Sequence, residues 1–236
     1  MTLRDASLLF VFAILALGNM AFLVASDPGA SAFVAAFVGW YFADLLSGVV
    51  HFLLDYLPCP EGKGLSKLFR YEGSRGQAEY RAMRREVMAG VGPWGRILFD
   101  FKCHHPRPHV LGRRSLIVLV RPALVIGGIP GALAMNVVCS LVRVPGWLIA
   151  GLLAFLIGGA FSQYFHGTVH RRENPWFVGL LRRLRLLIRP EAHGVHHATL
   201  DRDFATVNGW SNPLVNQIFT WCRSRGWLRD EGLEPQ

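Results

Sequence analysis

Four long apolar stretches, separated by charged or proline-containing segments, dominate the pattern of this sequence. The first, ASLLFVFAILALGNMAFLV, carries no charge over nearly twenty positions, which is enough for a helix to cross a hydrocarbon layer of about 30 Å. The predicted spans cover residues 6–24, 31–57, 115–142 and 145–165, with a long loop at 58–114 and a tail at 171–236. We therefore predict an all-α integral membrane protein with about four transmembrane helices, forming one domain over residues 1–236.

The composition agrees with a membrane protein. Hydrophobic residues make up 52% of the chain and charged residues only 17%, and the mean hydropathy is +0.30, values too apolar for an ordinary soluble domain. The first span is longer than the apolar core of about 7–15 residues in a signal peptide, so we interpret it as a retained anchor. The four cysteines are scattered and predict neither a disulfide framework nor a zinc ribbon.

The basic residues indicate how the chain is oriented in the membrane. Of the 25 Lys and Arg residues, twelve lie in the loop at 58–114 and ten follow His170, whereas the short loop at 27–30 has none. The positive-inside rule therefore predicts that both termini and the long loop are cytoplasmic. The net charge of +9 lies in membrane-flanking segments without a nucleic-acid-binding motif, so anionic lipid head groups are the expected partner and nucleic acid is not.

All nine histidines fall on this predicted cytoplasmic side, although they are spread over nearly 150 residues. They occur at the end of span two, in the long loop, at the end of span four and in the tail, at His51, His104, His105, His109, His166, His170, His193, His196 and His197. Scattered surface histidines would have no reason to follow the topology. The one-sided distribution therefore predicts one common site, with the active site on the cytoplasmic face.

The spacings of these histidines suit metal binding. FHGTVH and HGVHH place imidazoles four residues apart, on one face of a helix, and neutral imidazole is the commonest metal ligand. Since four nitrogens satisfy one zinc, eight or nine converging ligands predict two metals. Imidazole alone does not distinguish Zn, Cu, Fe and Ni. A two-metal site at the membrane interface is placed to act on lipid C–H bonds with O₂, which requires a redox metal such as iron.

Two aspartates in span two belong to the same prediction. Asp55 stands four residues after His51, where it can bind a metal or orient the histidine, or simply reach the interface at the helix end. Asp44 lies deeper in the span, where an ionisable residue costs at least a few kcal/mol and tends to face a functional interior.

Four blocks of sequence resemble the membrane lipid desaturases that include plasmanylethanolamine desaturase and the plastid palmitate desaturase, which makes a trans double bond in phosphatidylglycerol. FADLLSGVVHFLLD resembles a block of the pattern A-D-x-x-S-G-x-x-H-x-x-x-D, and PWGRILFDFKCHHPRP resembles the family's H-H-x-x-P block. SQYFHGTVH resembles the H-x-x-x-H block, and HGVHH with VNGWSNPL resembles the H-x-x-H-H block and its G-W-x-N segment. The resemblance extends from about residue 42 to residue 214.

The resemblance implies a di-iron, O₂-dependent lipid desaturase that receives electrons from a small carrier such as cytochrome b5 or ferredoxin. The implied iron ligands are His51, His104, His105, His166, His170, His193, His196 and His197. Asp55 is expected to act as an auxiliary catalytic group, and Asp44 to act around the ligands. The pair Arg113–Arg114 resembles the plastid branch more than the plasmalogen-forming branch.

We therefore predict an enzyme that introduces a double bond into an alkyl or acyl chain of a membrane glycerophospholipid. A hydroxylase with the same two irons is one alternative, because the addition of oxygen competes with the loss of a second hydrogen. A non-enzymatic haem-binding or metal-binding membrane protein is another. His109 is the histidine that the family pattern leaves over, and Pro106 and Pro108 turn the chain away from the ligand pair. We expect His109 at the surface or around the ligands.

Overall fold

The computed structural model describes residues 3–236, which form helices and no strand. Four helical segments are long and apolar enough to cross a membrane, at Asp5–Ala25, Ala30–Tyr56, Leu116–Leu141 and Gly146–Val169. The predicted all-α class with four candidate spans is confirmed, and the predicted bounds differ from the observed ones by one to four residues. The spans are helix α1 (Leu3–Ala25), helix α2 (Ala30–Tyr56), a broken third span and helix α9 (Gly146–Val169).

The third span is not one continuous α-helix as predicted. Helix α7 (Leu116–Ala123) continues into a π-helical turn at Leu124–Gly128 and then into helix α8 (Ile129–Leu141). Pro130 has no N–H for the regular bond to a carbonyl four residues earlier, and a π-turn is one way in which a helix accommodates such a break. The side chain of Asn136 ties this span to α1 by donating to the Leu15 carbonyl at 2.8 Å.

Short helices build the cap at one end of the spans. The loop at 58–114 forms α3 (Leu65–Phe69), α4 (Ala78–Ala89), α5 (Pro93–Lys102) and α6 (Pro108–Gly112). The tail forms α10 (Trp176–Arg183), α11 (Pro190–Thr199), α12 (Asn212–Ser224) and a 3₁₀ turn at Asp230–Gly232. A proline occupies the first turn of α5, α6, α11 and α12, where its missing N–H is not needed.

Helices α2 and α9 form the central contact of the bundle. Small residues every four positions of α2, among them Ala35, Gly39 and Ala43, face Gly151 and Gly158 of α9. A methyl group at Gly39 would overlap the Gly151 carbonyl oxygen, so the two backbones touch. Small residues at this spacing allow a close, right-handed helix crossing.

The stripe of small residues on α2 ends in functional side chains. Continuing from Ala43 by steps of four along α2 leads to Ser47, His51 and Asp55. The His51 ring lies 4.9 Å from the ring of His166 on α9, measured between centroids. The contact that joins the two spans therefore also sets the distance between their histidines.

Candidate metal centre

Eight histidines and one aspartate meet at the cap end of the spans, in two adjoining groups. The five-histidine group consists of His104, His166, His170, His193 and His197. The Asp55 group consists of His51, Asp55, His105 and His196. Within each group, one possible ligand atom of every residue lies within 4.8 Å of the others. The structure thus brings together all eight histidines that the sequence nominates as metal ligands.

Four separate chain segments supply these side chains. Helix α2 contributes His51 and Asp55, one turn apart, and α9 contributes His166 with His170 just beyond its end. Helix α11 contributes three histidines, and the turn after α5 contributes the adjacent pair at 104 and 105. Spacings of three and four residues place side chains on one helix face, which is why the motifs read from the sequence converge in space.

The histidine nitrogens are buried without enough partners, as expected for metal ligands. The rings of His51, His166, His193 and His196 are at most 1% exposed. Both ring nitrogens of His51, His166 and His193 lack a hydrogen-bond partner. Leaving so many buried polar atoms unpaired is costly unless another group satisfies them. The donor set therefore fits metal ions, to which these nitrogens would bind directly.

Two ligand rings are oriented by backbone carbonyls. Nδ1 of His104 lies 2.5 Å from the carbonyl oxygen of Phe101, and Nδ1 of His196 lies 3.0 Å from that of Arg202. A carbonyl that accepts a hydrogen bond from Nδ1–H leaves Nε2 free as the metal-binding atom. Nε2 of His170 and Nε2 of His197 face each other at 3.2 Å, a spacing at which both nitrogens can turn toward one ion.

Asp55 lies among the possible ligand atoms rather than at the helix surface. Its Oδ1 is 3.0 Å from Nε2 of His105, and its Oδ2 is 3.4 Å from Nε2 of both His51 and His196. The carboxylate is 1% exposed. It is therefore placed to bind the same metal as these three histidines, in addition to the orienting role considered from the sequence.

Burial keeps the imidazoles in the neutral, ligating form. Burial, together with the neighbouring histidines, lowers the pKa of His170 to about 4 and that of His197 to about 3. The pKa values of His104 and His193 are also well below the usual range, chiefly because of burial. Neutral rings bind metal ions without first losing a proton.

Lys102 supports the centre and was missed in the sequence analysis. Its side chain is 2% exposed, and Nζ donates to the carbonyls of Leu54 and Asp55 at the end of α2. A cation at a helix C-terminus is favourable, although burial lowers the Lys102 pKa to about 8. The one sequence signal was its position directly before Cys103 and the histidine pair.

Asp44 and His109 lie outside both groups. The Asp44 carboxylate is fully buried and faces the backbone of residues 207–211, not the ligands. His109 is exposed on α6, and α6 begins at Pro108, in the proline-containing segment that leads the chain away from His105. The structure thus separates both residues from the eight nominated ligands.

Comparison with known proteins gives two matches. Residues 92–230, more than half of the chain, match the family model described as the lipid desaturase domain. A plasmanylethanolamine desaturase from Myxococcus xanthus is 24% identical over 204 residues, which cover 80% of this chain and 60% of that protein. The chain thus spans about three fifths of the length of that relative. No solved structure matches the chain.

Proposed function

Because the chain belongs to the lipid desaturase family, we propose that it is a di-iron, O₂-dependent enzyme acting on a membrane glycerophospholipid. It would introduce a double bond into an alkyl or acyl chain of that lipid. Family membership supports the lipid desaturase activity. The two metals, the use of O₂ and the identity of the lipid are our proposal.

One observation carries the proposal for two metals, namely the two sets of converging donors. Five histidines form one set, and three histidines with Asp55 form the other. Bound iron would supply the redox chemistry needed to activate O₂ and to remove hydrogen from an unactivated carbon. Imidazole-rich sets with a carboxylate are compatible with iron, although the ligand type alone also admits other transition metals.

The residues of this chain would hold the metals, exclude bulk water and keep the reacting carbons close. The deepest ligands are closed to solvent, whereas the His105 side chain is 14% exposed and His170 and His197 are partly exposed. The lipid chain would therefore approach the centre on the side of these three histidines. Exclusion of water protects reactive species from side reactions.

The reaction needs an external source of electrons. Two C–H bonds on adjacent carbons break and one C=C bond forms, which yields two electrons and two protons. Reduction of O₂ to two waters takes four electrons and four protons, so a partner must supply two more electrons and solvent two more protons. We propose a small carrier of the cytochrome b5 or ferredoxin type, docking on the basic cap.

We also propose a sidedness and two candidate substrates. The excess of Lys and Arg in the loop at 58–114 and in the tail supports a cytoplasmic location for the cap, the metal centre and both termini. The relative's name supports an ethanolamine plasmanyl lipid as substrate. Phosphatidylglycerol carrying palmitate is the second candidate, since Arg113 and Arg114 resemble the plastid branch of the family.

The direct test is expression in a host that lacks desaturase activity of this kind, with lipid mass spectrometry and a metal assay on the purified protein. We expect a lipid product lacking two hydrogens and about two irons per chain. His166→Ala is expected to abolish the product, whereas His109→Ala, the matched control outside both groups, is expected to keep both irons and much of the activity. A product that gains one oxygen would instead indicate a hydroxylase. A haem absorption band without any lipid product would contradict an enzymatic role.

A further inference from the structure

Part of the tail lies beside the middle of α2 rather than at its cap end. The Trp210 ring stacks on Phe37 with 6.3 Å between centroids, and the Trp40 indole donates to the Leu186 carbonyl at 2.9 Å. Phe37 precedes His51 by fourteen residues, which corresponds to about 20 Å along a helix. The tail therefore extends far from the metal centre along the span.

The depth of this segment follows from the length of α2. The helix has 27 residues, about 40 Å at 1.5 Å per residue, and so it exceeds a hydrocarbon layer of about 30 Å by roughly 10 Å. Asp44 stands about 20 Å from either end of α2. It is therefore inside the apolar layer however the helix is placed across it, and so is the backbone that it contacts.

Asp44 satisfies the irregular backbone at this depth. Its Oδ1 accepts N–H bonds from Val207, Asn208 and Gly209 at 3.1, 2.8 and 3.0 Å. Its Oδ2 accepts the N–H and the hydroxyl of Ser211 at 2.9 and 2.7 Å. Non-helical backbone is tolerated within a membrane only where protein groups satisfy it. One carboxylate here accepts five donors of a single loop.

Neighbouring polar side chains accept hydrogen bonds from further N–H groups of the same loop. The Ser47 hydroxyl, one turn further along α2, accepts the Thr206 N–H at 3.0 Å. Asn212 Oδ1 accepts the Ala205 N–H at 2.9 Å. Consecutive backbone donors from Ala205 to Gly209 are thus all bonded to side chains.

The loop also packs directly on the Asp55 group. The Phe204 ring lies 4.8 Å from the His196 ring and 6.0 Å from the His51 ring, between centroids. Phe204 is fully buried. Its position depends on the segment that Asp44 and Ser47 hold, so Asp44 acts on two ligand rings without touching either.

We infer that residues 203–211 form a re-entrant loop inside the membrane, held by Asp44, and that this loop positions the Asp55 group. Asp44 is on this account a positioning residue for the proposed reaction. The positioning role rests on the proposed function, whereas the membrane depth of the loop does not.

The depth of the loop can be measured with the protein's own tryptophans. Trp210 is 39% exposed beside the span, and Trp221 near the far end of α12 is 48% exposed. In vesicles of lipids brominated at mid-chain, the fluorescence difference between wild type and Trp210→Phe isolates Trp210, and Trp221→Phe provides the matched control. We expect mid-chain bromine to quench Trp210 more than Trp221. Stronger quenching of Trp210 by aqueous iodide than by bromine would overturn the re-entrant loop.

The positioning role is tested with Asp44→Asn, which keeps one acceptor oxygen but presents an amide donor to the second set of loop donors. We expect activity to fall by about 10–100-fold, the usual effect of losing support behind metal ligands. One of the two irons should be lost, because the five-histidine group does not contact Phe204. Ser211→Ala, which removes one of the five donors, should show a smaller loss of the same kind.

A matched control separates this effect from a general loss of packing. Asn19 is also fully buried within a span, and it donates to the Ala132 carbonyl at 3.0 Å, a bond that involves no residue of the tail. Asn19→Leu should lower thermal stability while both irons and the Trp210 quenching remain. If Asp44→Asn kept both irons and full activity, the positioning role would be wrong. If the wild type held no iron, the proposed function would fail, while the quenching result would still decide the depth of the loop.

Discussion

The contact between α2 and α9 makes a sharp prediction about a residue far from any metal ligand. Gly39 precedes His51 by twelve residues, about 18 Å along the helix. A β-carbon at Gly39 would overlap the Gly151 carbonyl oxygen, so the two backbones lie in close contact. Gly39→Ala must therefore move two backbones apart, because neither partner is a flexible side chain.

The size of the effect follows from two opposing terms. Replacing glycine by alanine within a helix is favourable by about 0.8–1 kcal/mol. Forcing an extra carbon into a packed contact costs about 1–3 kcal/mol, and direct backbone overlap belongs at the upper end of that range. We expect a net loss of about 1–2 kcal/mol. The separation would reach His51 and His166 because they continue the same contact.

Gly159→Ala is the matched control. Gly159 lies in the same pair of helices, but a β-carbon there meets nothing within 4 Å, so only the favourable helix term applies. Thermal unfolding in detergent and iron content per chain are measured for both variants. We expect Gly39→Ala to have the lower midpoint and the lower iron content. Equal midpoints for the two variants would refute the close contact and the coupling to the histidines.

Three further predictions concern the support, protonation and partner of the centre. Lys102→Met should lower iron content and activity, since it leaves the Leu54 and Asp55 carbonyls unpaired. Lys67→Met, at an exposed position of α3, should change neither. In the metal-free protein, the pKa values of about 4 for His170 and about 3 for His197 lie below the ordinary value of 6.5. Below about pH 6.5 the unfolded chain therefore binds more protons than the folded chain does. The midpoint of thermal unfolding should then fall as the pH drops from 6.5 toward 4, and a constant midpoint would contradict the burial of these rings. With an acidic electron carrier at low concentration, turnover should decrease as salt shortens the Debye length to about 8–10 Å; turnover that does not respond to salt would exclude docking on the basic cap.

Much of the fold could be predicted because it depends on local pattern. The four spans follow from uninterrupted apolar runs, and the histidine groups follow from spacings that keep side chains on one helix face. The break near Pro130 was missed, because an apolar run of the right length contains no signal for a π-turn beyond the proline itself. The sequence also could not divide the ligands into five and four, since that division depends on how four helices cross.

The roles of Lys102 and Asp44 could not be predicted for a related reason. Each acts on backbone atoms of a distant segment, and Asp44 meets residues more than 160 positions later in the chain. Every residue type except proline has the same backbone donor and acceptor. No sequence motif therefore indicates which backbone segment such a side chain will contact. Sequence reasoning expected Asp44 near the ligands because an acidic residue within a span indicates a functional interior, and the structure instead places it at the loop.

The distribution of the ligands has a consequence for how the protein matures. His193 and His197 belong to the five-histidine group and His196 to the Asp55 group, so α11 completes both. If the proposed two metals bind here, neither donor set is complete until α11 has emerged during synthesis and packed against the spans inserted before it. On the proposed function, metal loading therefore follows the assembly of the bundle. A chain truncated before α11 would keep all four candidate spans but lack three of the eight histidines, so both donor sets would be incomplete.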